Sequence, residues 1–330
     1  MAPNADDPGL PRHSVAPTPD ATAPDASAPI LCVTTNPAID ITYAMDELRP
    51  GTSHRVETGL ARAGGKGVNV ARVLHQHHEA AMVIAPIGGP VRVLFVHDLD
   101  RSGIPHRLIE VDSPTRRTTA IVTPAGTTNL NERGEAITAD DWARLLEIVR
   151  AEVPAARVVV SSGSLPPQTP GGFCASVVEL AVAAGRPVII DVGGEQLRAA
   201  MAAGATAVKP NRHELLDAMG GADPLDAARR LAAEGSGTVF ASLDIEGMLA
   251  VLPDGRAWHA QLDRVLDGNP TGAGDAAVAA LAQAIAEGAP LEEQLARAAA
   301  WSSAAVLAPQ AGSIVDAEHL APRIRITPIG

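Results

Sequence analysis

Apolar residues fall along this chain in short, bounded blocks and never in one long run. Residues 30–35, Ile-Leu-Cys-Val-Thr-Thr, form a block with a β-branched bias that stops at Asn36-Pro37, the pattern of a buried strand followed by a turn. Similar blocks occupy 81–85, 158–162, 188–191, 205–208 and 238–243. Helical spacing appears at Val68, Val70, Ala71 and Leu74, then over about 139–151, 172–184, 212–219 and 224–234, and finally at about 273–287 and 291–306. Strands that alternate with helices predict right-handed crossovers, hence an α/β fold of three layers (α/β/α) around a mostly parallel central sheet. Residues 248–252 and 256–259, joined by Pro253-Asp-Gly255, predict a hairpin at one sheet edge.

Two regions break the scheme. Residues 39–45 and 54–58, around Pro50-Gly51, and residues 115–123 alternate in the manner of a small sheet with one wet face. They predict a β lid, from about 39–62 and 115–123, over the carboxyl ends of the main strands, where open α/β sheets bind ligands.

Composition narrows the class. The chain has 330 residues, 46% hydrophobic, enough for one large domain over 30–330. Residues 1–29, rich in Pro, Ala and Asp, read as a disordered tail. A formal net charge of −12 argues against a sequence-independent nucleic-acid binder, which needs surplus Lys and Arg. Cys32 and Cys174 are too few for a disulfide framework and lack zinc-site spacing, so the expected setting is a reducing cytoplasm. No apolar run approaches the ~20 residues that span a bilayer, and no membrane partner is expected. Although Lys and Arg total 26, lysine occurs only at Lys66 and Lys209, both in motif-like segments beside Gly or Pro. A compact, flexible ammonium at two places alone suggests a role there that a planar guanidinium does not fill.

The segment Asn269-Pro-Thr-Gly-Ala-Gly-Asp275 carries the chemistry. Small residues let the backbone approach a ligand, and free N–H groups at a helix start favour negative charge, so Gly272, Ala273 and Gly274 predict an anion hole. Asp275 could accept a hydroxyl proton beside it; by itself it could equally be an ordinary helix cap.

Taken together, Gly64-Gly-Lys-Gly-Val-Asn-Val-Ala-Arg72 and Asn269-Pro-Thr-Gly-Ala-Gly-Asp-Ala276, with Ser162-Gly-Ser-Leu-Pro-Pro167 and Lys209-Pro-Asn-Arg-His-Glu214 between them, resemble the ribokinase-like carbohydrate kinases, the PfkB family, over roughly residues 30–315. The resemblance implies a ribokinase-like fold and phosphoryl transfer from ATP, with Asp275 as base and Gly272, Ala273 and Gly274 as anion hole. It implies that Asp40, Gly64, Gly65, Lys66, Asn69 and Ser164 hold the acceptor. Lys209, Asn211, Glu214, Ser242, Gly247, Thr271 and Gly312 fall to the nucleotide, and Asn211 and Glu214 also to Mg2+ through water. Asn211 and Glu214 read equally as a capping box, and Asp40 as a turn residue.

Arg55 and Arg116 match arginines of the family branch that acts on sugar phosphates, where they grip a phosphate; otherwise they are surface cations. The start Asn36-Pro-Ala-Ile-Asp40, Thr115-Arg116 and Asn129-Leu-Asn-Glu-Arg-Gly134 most resemble the 1-phosphofructokinase and tagatose-6-phosphate kinase branch. Fructose 1-phosphate is the expected acceptor, with tagatose 6-phosphate, fructose 6-phosphate or a free sugar as alternatives. The family often pairs subunits through the lid, which implies a homodimer. Arg92, Asp191-Val-Gly-Gly194 and Asp244, in Ser242-Leu-Asp244 where relatives have Ser-Leu-Gly, depart from the family pattern. They keep open a catalytically silent sugar-phosphate sensor.

Overall fold

The computed structural model describes residues 25–308 and 310–330. The first half contains β1 (Ile30–Val33), β2 (Ala38–Ala44), β3 (Leu60–Gly64), α1 (Lys66–Gln76), β4 (Ala81–Gly88), α2 (Arg92–Arg101), β5 (His106–Val111), β6 (Arg116–Thr123), β7 (Gly126–Asn131) and α3 (Ala139–Glu152). Next come β8 (Val158–Ser162), α4 (Phe173–Ala183), β9 (Val188–Asp191), α5 (Glu195–Ala202), β10 (Ala207–Val208), α6 (Arg212–Met219) and α7 (Pro224–Ala232). The last part holds β11 (Thr238–Ser242), β12 (Met248–Val251), β13 (Ala257–Leu262), α8 (Ala273–Ala286), α9 (Leu291–Val306), α10 (Ala317–Leu320) and β14 (Ile324–Ile329).

Ten strands form one sheet in the order β14-β13-β12-β11-β10-β9-β8-β1-β4-β5. The seven from β11 to β5 run parallel, and β12, β13 and β14 extend the edge antiparallel. Alternate residues of each central strand face opposite sides. Cys32, Val160 and Ile189 pack with α1, α2, α8 and α9, whereas Leu31, Val159 and Ile190 pack with α3 to α7. The result is a three-layer α/β/α arrangement, and the central strands are apolar on both faces because both faces are covered. Since the chain leaves β1 first toward β4 and later returns to β8 on its other side, the strand order reverses at β1, which opens a crevice at the carboxyl ends there.

A second sheet, in the order β3-β2-β6-β7, stands apart from the first. The alternation at 54–58 does not become a strand: residues 52–59 are irregular, and the strand that pairs with β2 is Leu60–Gly64. β7 turns back on β6 in a hairpin closed between Thr123 and Gly126, in a stretch too polar to read as a strand. The expected tail extends over 1–29, of which 1–24 lie outside the described residues. Ala28 and Pro29 are tied down, their carbonyls accepting from Arg157 at 2.9 and 3.0 Å, so the folded part begins before residue 30. Among the described residues no helix is long and apolar enough to cross a membrane.

Candidate active site

The ends of the central strands supply the floor of the site. Asn36 follows β1, Ser164 follows β8, Asp191 ends β9, Lys209 follows β10 and Ser242 ends β11. Above them lies a cavity of about 1010 Å³, with Asp40, Arg116 and Ser164 among its walls, and also Asp275, Asn211 and Ser242. A space of that size is at the upper end for small-molecule sites and has room for two ligands side by side.

Asp275 sits in the first turn of α8 but does not cap it. The cap position is Gly272, in a left-handed conformation with φ 89°, and a Cβ there would come within 2.8 Å of Ala311 Cα. Asp275 is only 6% exposed and accepts from Asn69 Nδ2 at 3.0 Å, so the buried start of α1 holds the buried start of α8. Burial pushes the Asp275 carboxyl up to about 7, with the Asp191 charge adding to the rise while Lys66, the Asn69 hydrogen bond and Lys209 oppose it. A carboxyl that titrates near neutrality suits a group that must take up a proton at physiological pH. The three expected amides are not equivalent: Ala273 N–H donates to Pro270 O at 3.1 Å, which takes it out of the anion hole as the chain stands. The N–H groups of Gly274 and Asp275 take no backbone acceptor among the described residues and remain to meet an anion.

Both lysines of the chain converge on one carboxylate. Lys66 Nζ lies 3.4 Å from Asp191 Oδ2 and 3.5 Å from Glu214 Oε1, and Lys209 Nζ lies 3.3 Å from Asp191 Oδ1. Asp191 is wholly buried and also accepts from Ser162 Oγ at 2.7 Å. Burial opposes its charge, but Lys209, Lys66 and the Ser162 hydroxyl hold its carboxyl below the usual range. Lys66 is likewise held charged against burial by Asp191, Glu214 and Asp275. In the sequence Asp191 stands out only within a segment that departs from the family pattern, because its place as a hub depends on two lysines distant in the chain. A Cβ added to Gly274 would lie 3.5 Å from Lys209 Nζ, so this ammonium borders the free amides.

At the other end of the cavity, Asp40 Oδ1 accepts from Thr118 Oγ1 at 2.5 Å. The carboxylate lies flat on Gly64, where any Cβ would collide with it. The cross-strand partner of Asp40 on β3 is Arg62, whose ionisation burial lowers to about 10. Arg116 donates from Nε to Asn36 O at 3.2 Å and from Nη1 to Glu132 O at 3.0 Å, while Asn36 Nδ2 donates to Ser164 Oγ at 3.1 Å. Burial draws the Arg116 ionisation down from its ordinary value, and Asp40 and Glu132 counter it. Thr118 shares a face of β6 with Arg116, a period-two relation that was available in the sequence; Arg133, also in the wall, gave no such signal. Arg55 is not brought in. It is exposed on the irregular 52–59 segment, outside the cavity wall.

The small sheet also touches the loop before α8. Thr127 Oγ1 donates to Asn269 Oδ1 at 3.2 Å and Asn129 Nδ2 to Thr271 Oγ1 at 3.4 Å.

On the remaining side, Asn211 and Glu214 form a reciprocal capping box at the start of α6, with bonds of 2.9 and 3.0 Å, and both side chains also line the cavity. Beyond Ser242 and Gly247, Leu262, Val265 and Leu266 face Ala299, Ser303 and Val306 across an apolar slot. Gly312 packs behind Asn69 and does not line the cavity. Asp244, with φ 54°, stands at the rim, where its departure from Ser-Leu-Gly puts a carboxylate near the expected nucleotide edge; Arg264, also at the rim, gave no signal in the sequence.

The chain is similar to proteins of known fold and family. Residues 31–318 match the model of the pfkB family carbohydrate kinases. Phosphofructokinase-2 from Escherichia coli, solved in complex with potassium, is 28% identical and superposes with a TM-score of 0.82, over 89% of this chain and 98% of that one. Ribokinase from Arabidopsis thaliana, solved with ribose and ATP, is 25% identical with a TM-score of 0.67, over 89% and 98%. A possible 1-phosphofructokinase from Thermotoga maritima, 22% identical, shares the fold with a TM-score of 0.83 over 91% and 99%. With the family model covering most of its length, this chain belongs to the PfkB family of carbohydrate kinases, phosphotransferases that use an alcohol group as acceptor.

Proposed function

We propose that this kinase transfers the γ-phosphoryl group of ATP to the C6 hydroxyl of fructose 1-phosphate, forming fructose 1,6-bisphosphate. The observation that carries the reading is Arg116, a half-buried guanidinium in the same cavity wall as Asp40 and Asp275. Its fork is suited to a phosphate dianion, and Asp40 beside it to sugar hydroxyls.

In this reading the acceptor lies between Asp40, Asn69 and Arg116, and its free hydroxyl points at Asp275. Asp275 accepts the hydroxyl proton as the oxygen attacks the γ-phosphorus in line. The amides of Gly274 and Asp275 and the Lys66 and Lys209 ammonium groups face the charge spread over the equatorial oxygens.

The donor set fits Mg2+ carried with the nucleotide. Among the described residues no cluster of three or more His, Cys, Asp or Glu side chains could cage a metal, whereas Asn211 and Glu214 offer oxygens to a hydrated ion. When bound, the ion would neutralise charge on the nucleotide phosphates.

Leu60 and Leu130 of the small sheet are 61% and 58% exposed, which supports pairing of two subunits through that sheet, with Arg55 on the joining segment.

Fructose 6-phosphate is the second reading, favoured because the Escherichia coli phosphofructokinase-2 structure has been solved with that sugar phosphate. ADP release with MgATP and a panel of fructose 1-phosphate, fructose 6-phosphate, tagatose 6-phosphate and fructose tests both. The highest kcat/KM on fructose 1-phosphate is expected; preference for fructose 6-phosphate selects the second reading, and preference for fructose removes both.

A further inference from the structure

We infer that Asp244 binds the ribose diol of the nucleotide and makes this kinase select ribonucleotides over 2′-deoxyribonucleotides. The inference rests on the kinase reading above, which puts the phosphates at the start of α8; the apolar slot of Leu262, Val265 and Leu266 beyond Ser242 and Gly247 is then where we place the base.

Position is the first ground. Asp244 opens the turn Asp244–Glu246 that links β11 to β12. On one side of this turn, Ser242 is bridged to Asn211, within the phosphate end. On its other side the turn docks on β13, where His259 Nε2 contacts Glu246 O at 2.5 Å and Gln261 Nε2 donates to Ile245 O at 3.5 Å. β13 runs directly into Leu262 and Val265 of the base slot. A nucleotide laid between these two anchors has its sugar over the turn.

The carboxylate is also unspent. Its neighbour Glu246 is paired with Arg212 at 2.8 Å, whereas Asp244 has no ion-pair partner among the described residues and is exposed to the cavity that it lines.

Backbone conformation supplies the third ground. Asp244 has φ 54°, in the left-handed region that glycine occupies freely and Asp tolerates at some strain. A glycine would relax this turn. The strained residue that stands there instead brings two acceptor oxygens, and a carboxylate matches the two O–H donors of a vicinal cis-diol, as acidic residues do for the ribose of dinucleotides.

Calorimetric titration of the full-length protein with ADP and with 2′-deoxy-ADP tests this without any sugar acceptor. Wild type is expected to bind ADP about tenfold more tightly than 2′-deoxy-ADP, the size of a hydrogen bond to a charged group. Asp244→Gly should bring the two affinities within about twofold by weakening ADP alone, and Asp244→Asn, which keeps one acceptor, should fall between. Equal affinities in wild type, or a tenfold ratio that survives in both variants, would overturn the inference. Should the glycine variant fail to fold, the asparagine variant decides, because Asn tolerates the same backbone. Discrimination between the nucleotides without fructose 1-phosphate turnover would leave Asp244 standing and remove the acceptor assignment only. Failure to bind either nucleotide would remove both.

Discussion

Lys209 and Asp191 meet in a buried ion pair, Nζ to Oδ1 at 3.3 Å, with Lys66 on the opposite carboxylate oxygen at 3.4 Å. The negative charge of Asp191 also bears on Asp275, whose ionisation it makes harder. Replacing Asp191 by Asn leaves two ammonium groups without their shared partner and removes a repulsion from Asp275. The variant should lose about 3–5 kcal/mol of stability, as is usual when one member of a buried pair is deleted. Its acid limb of kcat/KM should move to lower pH. Urea unfolding and a pH–rate profile measure the two effects, and an unmoved limb would refute the electrostatic link.

As the proposed base, Asp275 would work at a pH set by its burial. With the carboxyl raised to about 7, the base is protonated and inactive below that value, so kcat/KM should fall tenfold per unit as pH drops below about 7. A pH–rate profile flat down to pH 5 would exclude Asp275 as the titrating base.

The same shift makes Asp275 a liability to the fold. Its folded ionisation lies above the ordinary aspartate value of 3.8, so the folded state holds the proton more tightly than the unfolded chain does. Its favourable contribution is complete below about pH 4 and is lost as pH rises through about 7. Asp275→Asn imitates the protonated form. It should reduce turnover by about 10²–10⁴-fold while raising Tm at pH 8.5 by about 5 °C, a gain that vanishes at pH 4. A mutant less stable than wild type at both pH values would show that the charged form is the favoured one.

In the proposed reading Arg116 would separate phosphorylated from free sugars. Arg116→Ala should raise KM for fructose 1-phosphate by about 100-fold, the loss of a bidentate charged contact, and leave KM for fructose within about twofold. The two backbone carbonyls that Arg116 now serves, of Asn36 and Glu132, lose a donor, so a lower Tm should accompany the change. Equal effects on both sugars would mean that Arg116 braces the wall without meeting the phosphate.

Gly64→Ala tests the seat of Asp40. The added methyl strikes the carboxylate and must push it off Gly64. KM for the sugar should rise at least about tenfold, with KM for ATP unchanged. Matching rises in both would indicate general damage to the site.

How much of this was legible in the chain depends on how each residue acquires its meaning. α8 and α9 were readable because their apolar positions repeat at helical spacing, and the central strands because both of their faces are apolar. α2 was not. Asp98 is buried on it, taking an ion pair from Arg72 and accepting from Ala63 N–H at 2.9 Å, and a buried charge looks exposed until its partners are known. β14 hides in the same way, since its arginine and proline suit an exposed edge strand. The motif residues around Asp275 were legible from their spacing and small side chains, whereas Asp191 gains its place from lysines far away in sequence. Arg55 looked equivalent to Arg116, but only Arg116 is held in a strand that pairs with Asp40's own.

The bonds from Thr127 to Asn269 and from Asn129 to Thr271 tie the sheet that seats Asp40 to the loop that precedes the anion hole. Two ligands that act on the ends of one such tie cannot bind independently. Whatever free energy the nucleotide spends or gains in shifting that loop is shared with the sugar, and reciprocity requires each ligand to change the other's affinity by the same factor. Where the nucleotide and the sugar each shift one end of this tie, the hydroxyl- and amide-bearing side chains of β7 would couple donor occupancy to acceptor occupancy.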